Sequence, residues 1–225
     1  MYWIIFIGFA LISWLISNRL QSTFKAYSKI PTVNNLTGKE IAEKMLHDND
    51  IYDVQVTCIE GQLTDNYNPL NKTLNLSRGV YYGDSVASGA VAAHECGHAV
   101  QHSHQYAWLM FRSRLVPVVS FASQWVMWVL LAGMFLLKIF PQLMLFGIIL
   151  FALTTLFSFV TLPVEINASK RALVWLSNNN ITTRETQPKA EHALRLAAYT
   201  YVAAALASLA TLFYYILIFV GGDRR

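Results

Sequence analysis

Of the 225 residues, 55% are apolar and 13% charged, and the mean hydropathy is +0.38. That balance excludes an ordinary soluble domain of this length. The net charge is only +4 and no basic tract or aromatic-interleaved stripe is present, which argues against nucleic-acid binding; attraction to anionic lipid headgroups accounts for the surplus.

The apolar surplus lies in four runs, at 2–17, 115–137, 143–162 and 197–220. The last three reach the roughly 20 residues that a helix needs to cross a bilayer core; the first is shorter. No Lys or Arg precedes Tyr2, whereas Arg19, Lys25 and Lys29 follow the run, so it reads as a retained anchor rather than a cleaved signal peptide. Thr37-Gly38-Lys39-Glu40 forms a capping-box pattern that opens an amphipathic helix to about His47, with Ile41, Met45 and Leu46 on its apolar side. Val54, Val56 and Cys58 alternate with polar neighbours, predicting a strand over 53–59. Residues 65–69 carry turn chemistry and 73–76 read as a second short strand. The sheet is either a lid on the core or an edge that binds an extended substrate.

Residues 85–102 are rich in alanine and free of proline, which predicts a helix, expected to run on through Tyr106 to an interface anchored by Trp108, Arg112 and Arg114. Pro117 is expected to kink the entry to the second span. The third span leads into a helix ending near 178–180, and Pro188 suits the first turn of the last helix.

The middle helix carries His94-Glu95-Cys96-Gly97-His98, an H-E-x-x-H pattern. Residues four apart share a helix face, so both imidazoles reach one metal ion. Glu95, rotated partly off that face, reaches a metal-bound water without being a ligand. The alternative is a buried helix whose histidines are satisfied by hydrogen bonds. By helical phase Cys96 points away from the imidazoles. Cys58 and Cys96 are expected as reduced thiols on the cytoplasmic side.

A catalytic zinc needs a third protein ligand and one open position. His104 lies six residues after His98, but Gln101 stands where a helix-breaking glycine would be needed. With the helix continued, His104 falls about 9 Å beyond His98 along the axis. His102, one turn past His98, suits a substrate-facing or a plain surface role. Glu165 follows a long apolar run, where an acid is costly unless paired or bound. It is the preferred ligand; the alternative is pairing with Lys170 or Arg171.

Loop charge gives the orientation. Arg19, Lys25, Lys29, Arg112 and Arg114 flank one polar segment, and Lys170, Arg171, Arg184 and Lys189 lie in another, against Lys138, Arg224 and Arg225 opposite. The positive-inside rule places 18–114 and 163–193 in the cytoplasm, which brings His94, Glu95, His98 and Glu165 to one membrane face.

With these residues in hand, the chain is similar to the YugP-type neutral zinc metallopeptidases of bacterial membranes. The resemblance rests on Gly61-Gln62-Leu63-Thr64-Asp65, on the run from Ala93 to His102, on Leu162-Pro163-Val164-Glu165-Ile166-Asn167-Ala168-Ser169 and, more weakly, on Tyr201-Val202-Ala203-Ala204-Ala205. That family resembles membrane gluzincins of the HtpX-like and CAAX-protease kind. There a glutamate in a Glu-x-x-Ala setting on a later helix is the third ligand, usually with an aspartate four residues on; here that place is Ser169. The resemblance implies one zinc ion per chain held by His94, His98 and Glu165, with Glu95 as the base. It also implies a protein or peptide substrate and a multi-pass location in the bacterial cell membrane.

The expected fold is mainly α: a polytopic bundle of about four transmembrane helices with a small cytoplasmic zincin-like α+β portion, in one domain over 1–225. The expected function is a membrane-embedded zinc endopeptidase acting at the cytoplasmic face. His192, Arg195 and Tyr201 are candidates for oxyanion or substrate contact by their position before or inside the last span. A membrane-protein partner or a homo-oligomer is left open. One rival is a site-2-type intramembrane protease, against which stand a polar motif helix over 101–105 and the lack of a later Leu-Asp-Gly sequence. Another is a non-catalytic zinc-stabilised scaffold, against which stands Glu95, since structure alone does not require a base there.

Overall fold

The structure is a computed structural model; it describes residues 2–222, and side chains from 6 to 221. Among the described residues seven α-helices and three strands, with a short 3-10 turn at Val33–Asn35, follow in the order α1 (Tyr2–Tyr27), α2 (Gly38–His47), β1 (Gln55–Ile59), β2 (Asn66–Asn68), β3 (Thr73–Ser77), α3 (Arg78–Tyr81), α4 (Val86–Ser103), α5 (Ala107–Phe135), α6 (Pro141–Asn178) and α7 (Gln187–Gly222). The chain forms two compact units, one of residues 1–15, 110–162 and 200–225, the other of 16–109 and 163–199.

The first unit is apolar almost throughout. α5, α6 and α7 are long and apolar enough to cross a membrane. The most apolar stretch of α5 is only 11% buried, with Phe121, Trp125 and Trp128 more than half exposed. Apolar surface on that scale is not sustained in water and calls for lipid. Where these helices do meet, small residues bring them close. A Cβ on Gly133 would fall 2.7 Å from the Met144 Cα, and Thr155 and Ser208 hydroxyls bond at 2.7 Å. α5 continues across Pro117 as one helix. Of the four expected spans, three fall on helices long and apolar enough to cross a membrane among the described residues. The run at 2–17 is helical within α1, but its first side chains lie outside those described, as do Arg224 and Arg225.

The second unit is built around α4. The Thr37 hydroxyl accepts from the Glu40 N–H while the Glu40 carboxylate accepts from the Thr37 N–H at 2.8 Å, so the capping box forms. Ile41, Ala42, Met45 and Leu46 then bury one stripe of α2 against α4. β1 and β3 run parallel, with Val56 beside Leu74 and Cys58 beside Leu76; β2 pairs antiparallel to β3. Leu74 and Leu76 point into the core. On the other face Thr57 donates to Asn75 Oδ1, and Asn75 Nδ2 to Asn66 Oδ1, so a polar ladder crosses all three strands.

Two expectations are corrected here. The segment 65–69 is not a turn: its centre is strand β2, and the chain reverses later, where Leu70 N–H donates to Asn68 Oδ1 and Lys72 takes φ +52°. Nor does α4 run on through Tyr106. Gln105 takes φ +51°, Tyr106 N–H donates to Gln101 O and Gln105 N–H to His102 O. These are the two bonds of a Schellman stop, formed without glycine, and α5 begins afresh at Ala107. The same pair of bonds ends α6, from Ile181 N–H to Leu176 O and from Asn180 N–H to Ser177 O.

Candidate metal centre

α4 is buried on nearly every side, which only small residues allow. Ser85 caps it, accepting from the Ser88 N–H at 3.1 Å. Its alanines and glycines let neighbours approach closely. A Cβ on Gly97 would lie 2.7 Å from the Ala168 carbonyl oxygen and 3.1 Å from the Ala168 Cα. At that point α4 and α6 touch backbone to backbone, one residue from His98 and less than a turn from Glu165.

This contact brings three side chains together. His94 Nε2 lies 3.3 Å and His98 Nε2 3.6 Å from Glu165 Oε2, and the three ligand atoms all lie within 4.8 Å of one another. For metal bonds of about 2.0–2.1 Å, the edges of a tetrahedron are about 3.3–3.4 Å. The His94–Glu165 separation matches such an edge and the His98–Glu165 separation lies slightly beyond it, and two imidazoles with one carboxylate are a donor set that suits zinc. The residues therefore fit the ion.

Each ring is held from behind. His94 Nδ1 meets the Ser169 hydroxyl at 3.1 Å and His98 Nδ1 meets Gln101 Oε1 at 3.1 Å, so both Nε2 atoms turn toward Glu165. Burial pulls the His98 imidazole toward its neutral form. The hydrogen bond to Glu165 and the charges of Glu95 and Glu165 outweigh it and leave the pKa above the ordinary value.

Glu95 is buried, 8% exposed. Burial pushes its carboxyl pKa up, the positive fields of His94 and His98 pull it back, and the charges of Glu165 and Asp65 add to the rise. A carboxyl so placed is a stronger base than one in water.

The remaining candidates fall elsewhere. His102 Nδ1 meets the Tyr67 hydroxyl of β2 at 2.9 Å and ties the sheet to α4. His104 is exposed at the stop of α4. His192 Nδ1 bonds the Tyr27 hydroxyl at 2.9 Å, Arg195 lies 4.0 Å from Glu191, and Tyr201 is on α7 in the other unit. The Cys96 thiol is buried, donates to Ala42 O, and is held protonated by burial; Cys58 is exposed and free. Arg171 donates to Asn167 Oδ1.

The Gly61–Asp65 segment pins a loop. Gly61 takes φ +113° with Thr64 against it, and Asp65 accepts from the Ser77 N–H and hydroxyl at the start of α3. The sequence marked Ser169 only as a departure and Gln101 only as a helix former. Ser169 meets His94 from the other helix, so spacing carried no signal for it, whereas Gln101 stands three residues after His98 on α4, a helical spacing that could have flagged the contact.

The sequence matches, over residues 2–220, the model of a family described as "Putative neutral zinc metallopeptidase". It is 41% identical over 204 residues to "Putative membrane protease YugP" of Bacillus subtilis (strain 168), covering 91% of this chain and 90% of that protein. No solved structure matches. The chain belongs to the family of that description.

Proposed function

We propose, with that membership as premise, that the chain is a zinc-dependent endopeptidase of the membrane that hydrolyses peptide bonds of protein or membrane-protein substrates at the cytoplasmic face. One observation carries the reading. Two distant stretches of chain, on α4 and α6, bring two imidazole nitrogens and a carboxylate oxygen within 4.8 Å of one another, close enough to share one ion.

His94, His98 and Glu165 would hold one zinc ion, which when bound supplies Lewis acidity toward a substrate carbonyl and a more acidic water. Glu95 takes a proton from the attacking water and returns it to the leaving amine, so that water adds across the C–N bond and no proton is left over. Its burial beside the two imidazoles supports that role. Ser169 and Gln101 orient the rings. β2, which reaches α4 through Tyr67 and His102, is the candidate sheet element beside an extended substrate. His192, Arg195 and Tyr201 stay candidates for oxyanion or substrate contact. The excess of Lys and Arg in 18–114 and 163–193 supports a cytoplasmic site in the bacterial cell membrane.

Glu95→Gln tests the mechanism. Zinc content should stay at one per chain while cleavage of an unfolded or membrane-protein substrate falls by about 10²–10⁴. A variant that cuts as well as its parent overturns the mechanism. Parent and variant that cut nothing but hold one membrane partner tightly favour the scaffold reading.

A further inference from the structure

We propose that Arg171, Asn167 and Gln101 form a polarity relay that fixes which nitrogen of His98 carries its proton, leaving Nε2 bare toward the metal site. The proposal rests on the reading of His98 as a zinc ligand and names the positioning residues behind it.

Two groups here have no choice of role, the Arg171 guanidinium and the Val164 carbonyl. A guanidinium has donors and no acceptor. Arg171 Nε donates to Asn167 Oδ1 at 2.8 Å, which orients the Asn167 amide with its oxygen inward. Gln101 Nε2 lies 3.0 Å from that oxygen and 2.8 Å from the Val164 carbonyl oxygen. Both are pure acceptors, so the Gln101 NH₂ group must face them. Its oxygen is then the atom 3.1 Å from His98 Nδ1. That contact is a hydrogen bond only when Nδ1 bears the proton, and a neutral imidazole protonated at Nδ1 keeps its lone pair on Nε2.

Burial makes the relay binding. Gln101 is 0% exposed, so no water rescues a reversed amide, which would set its oxygen against two others. At the far end Arg171 and Asn167, with Lys170 and Trp175, line an open cavity of about 380 Å³, where the guanidinium charge stays hydrated. His94 has no such device. Its partner is the Ser169 hydroxyl, which rotates and serves either tautomer.

The test uses the full-length chain in detergent micelles. Zinc affinity is measured by competition with a chromophoric chelator, and the unfolding midpoint is taken on the zinc-free protein. Gln101→Leu should weaken zinc about tenfold to hundredfold, as loss of an orienting partner does. Asn167→Asp keeps an oxygen toward both neighbours and should stay near the parent. Arg171→Glu is decisive. Added negative charge alone would tighten a cation site, whereas the relay predicts weaker zinc, because an acceptor there turns the Asn167 NH₂ toward Gln101, which then can no longer satisfy Asn167, the fixed Val164 carbonyl and His98 Nδ1 at once. The zinc-free midpoint should stay close to the parent's in Arg171→Glu.

Arg171→Glu binding as tightly as the parent, or more tightly, overturns the relay. So does affinity lost only in step with the zinc-free midpoint in all three variants, which is a packing role. A parent that binds one zinc with every variant equal to it removes the relay alone. A parent that takes up no zinc removes the metallopeptidase reading as well.

Discussion

Gly97→Ala offers a test in which two physical effects oppose each other in sign. In a helix interior the change from glycine to alanine is favourable by about 1 kcal/mol, through lost backbone entropy of the unfolded chain. Against that, the new Cβ falls 2.7 Å from the Ala168 carbonyl oxygen, where ordinary contact begins at 3.4 Å. The shortfall is 0.7 Å, and the obstacle is backbone on a rigid helix rather than a side chain that can turn away. Overpacking of this kind costs about 1–3 kcal/mol. The functional consequence is larger than the stability one. Metal–ligand distances tolerate about 0.2 Å, and Glu165 rides on α6 within a turn of the contact. Moving α6 out by even half of 0.7 Å carries the carboxylate beyond that tolerance. Zinc affinity should therefore fall at least about tenfold, or roughly 1.4 kcal/mol, by chelator competition. Two comparisons sharpen the result. Gly89→Ala meets only side-chain methyls, Ile41 Cδ1 at 2.9 Å and Thr32 Cγ2 at 3.3 Å, and should bind zinc as the parent does. Ala168→Gly should not rescue Gly97→Ala, because the collision is with the Ala168 backbone. If Gly97→Ala is more stable and binds zinc as tightly as the parent, the close crossing is not what sets the ligand distance.

Ser169→Ala removes the partner of His94 Nδ1 and should weaken zinc about tenfold, with Ser169→Asp restoring it, both read by metal competition. Thr37→Ala should cost about 1 kcal/mol of α2 stability, seen as faster amide exchange in its first turn. The backbone bond from Thr37 holds the Glu40 carboxyl below its usual 4.5, so its part of the cap is present above that pH and is lost as the pH falls through the lower folded value. The screened, surface setting keeps that part small; exchange in α2 should quicken on acidification in the parent and show no such dependence in Glu40→Gln.

Much of this protein is local enough to be written in its sequence. The capping box at Thr37, the alternation that makes β1, the alanine-rich α4 and the long apolar helices each depend on neighbours a few residues away, and each is present in the structure. Cys96 could be set aside by helical phase, and it is buried against Ala42. The errors arose where tertiary pairing outweighed local chemistry. Asn66-Tyr67-Asn68 has turn composition, but an adjacent strand with open hydrogen bonds recruits it as β2. The stop of α4 at Gln105 was invisible because no glycine announces it.

At the metal centre the division is sharper. Helical periodicity alone puts His94 and His98 on one face, because four residues make about one turn. Which acid completes the set is a matter of helix crossing. Gly97 lets α6 come within backbone contact, and only then does Glu165 reach both imidazoles. Of the groups behind the rings, Ser169 was beyond reach for the same reason, and for Gln101 only its contact with His98, three residues away on α4, lay within reach of the sequence. Gln101 meets Val164 and Asn167 more than sixty positions away, and Ser169 meets His94 at a similar remove. Hydrogen bonds between helices depend on distance in space, and a linear pattern carries that distance only within a single element.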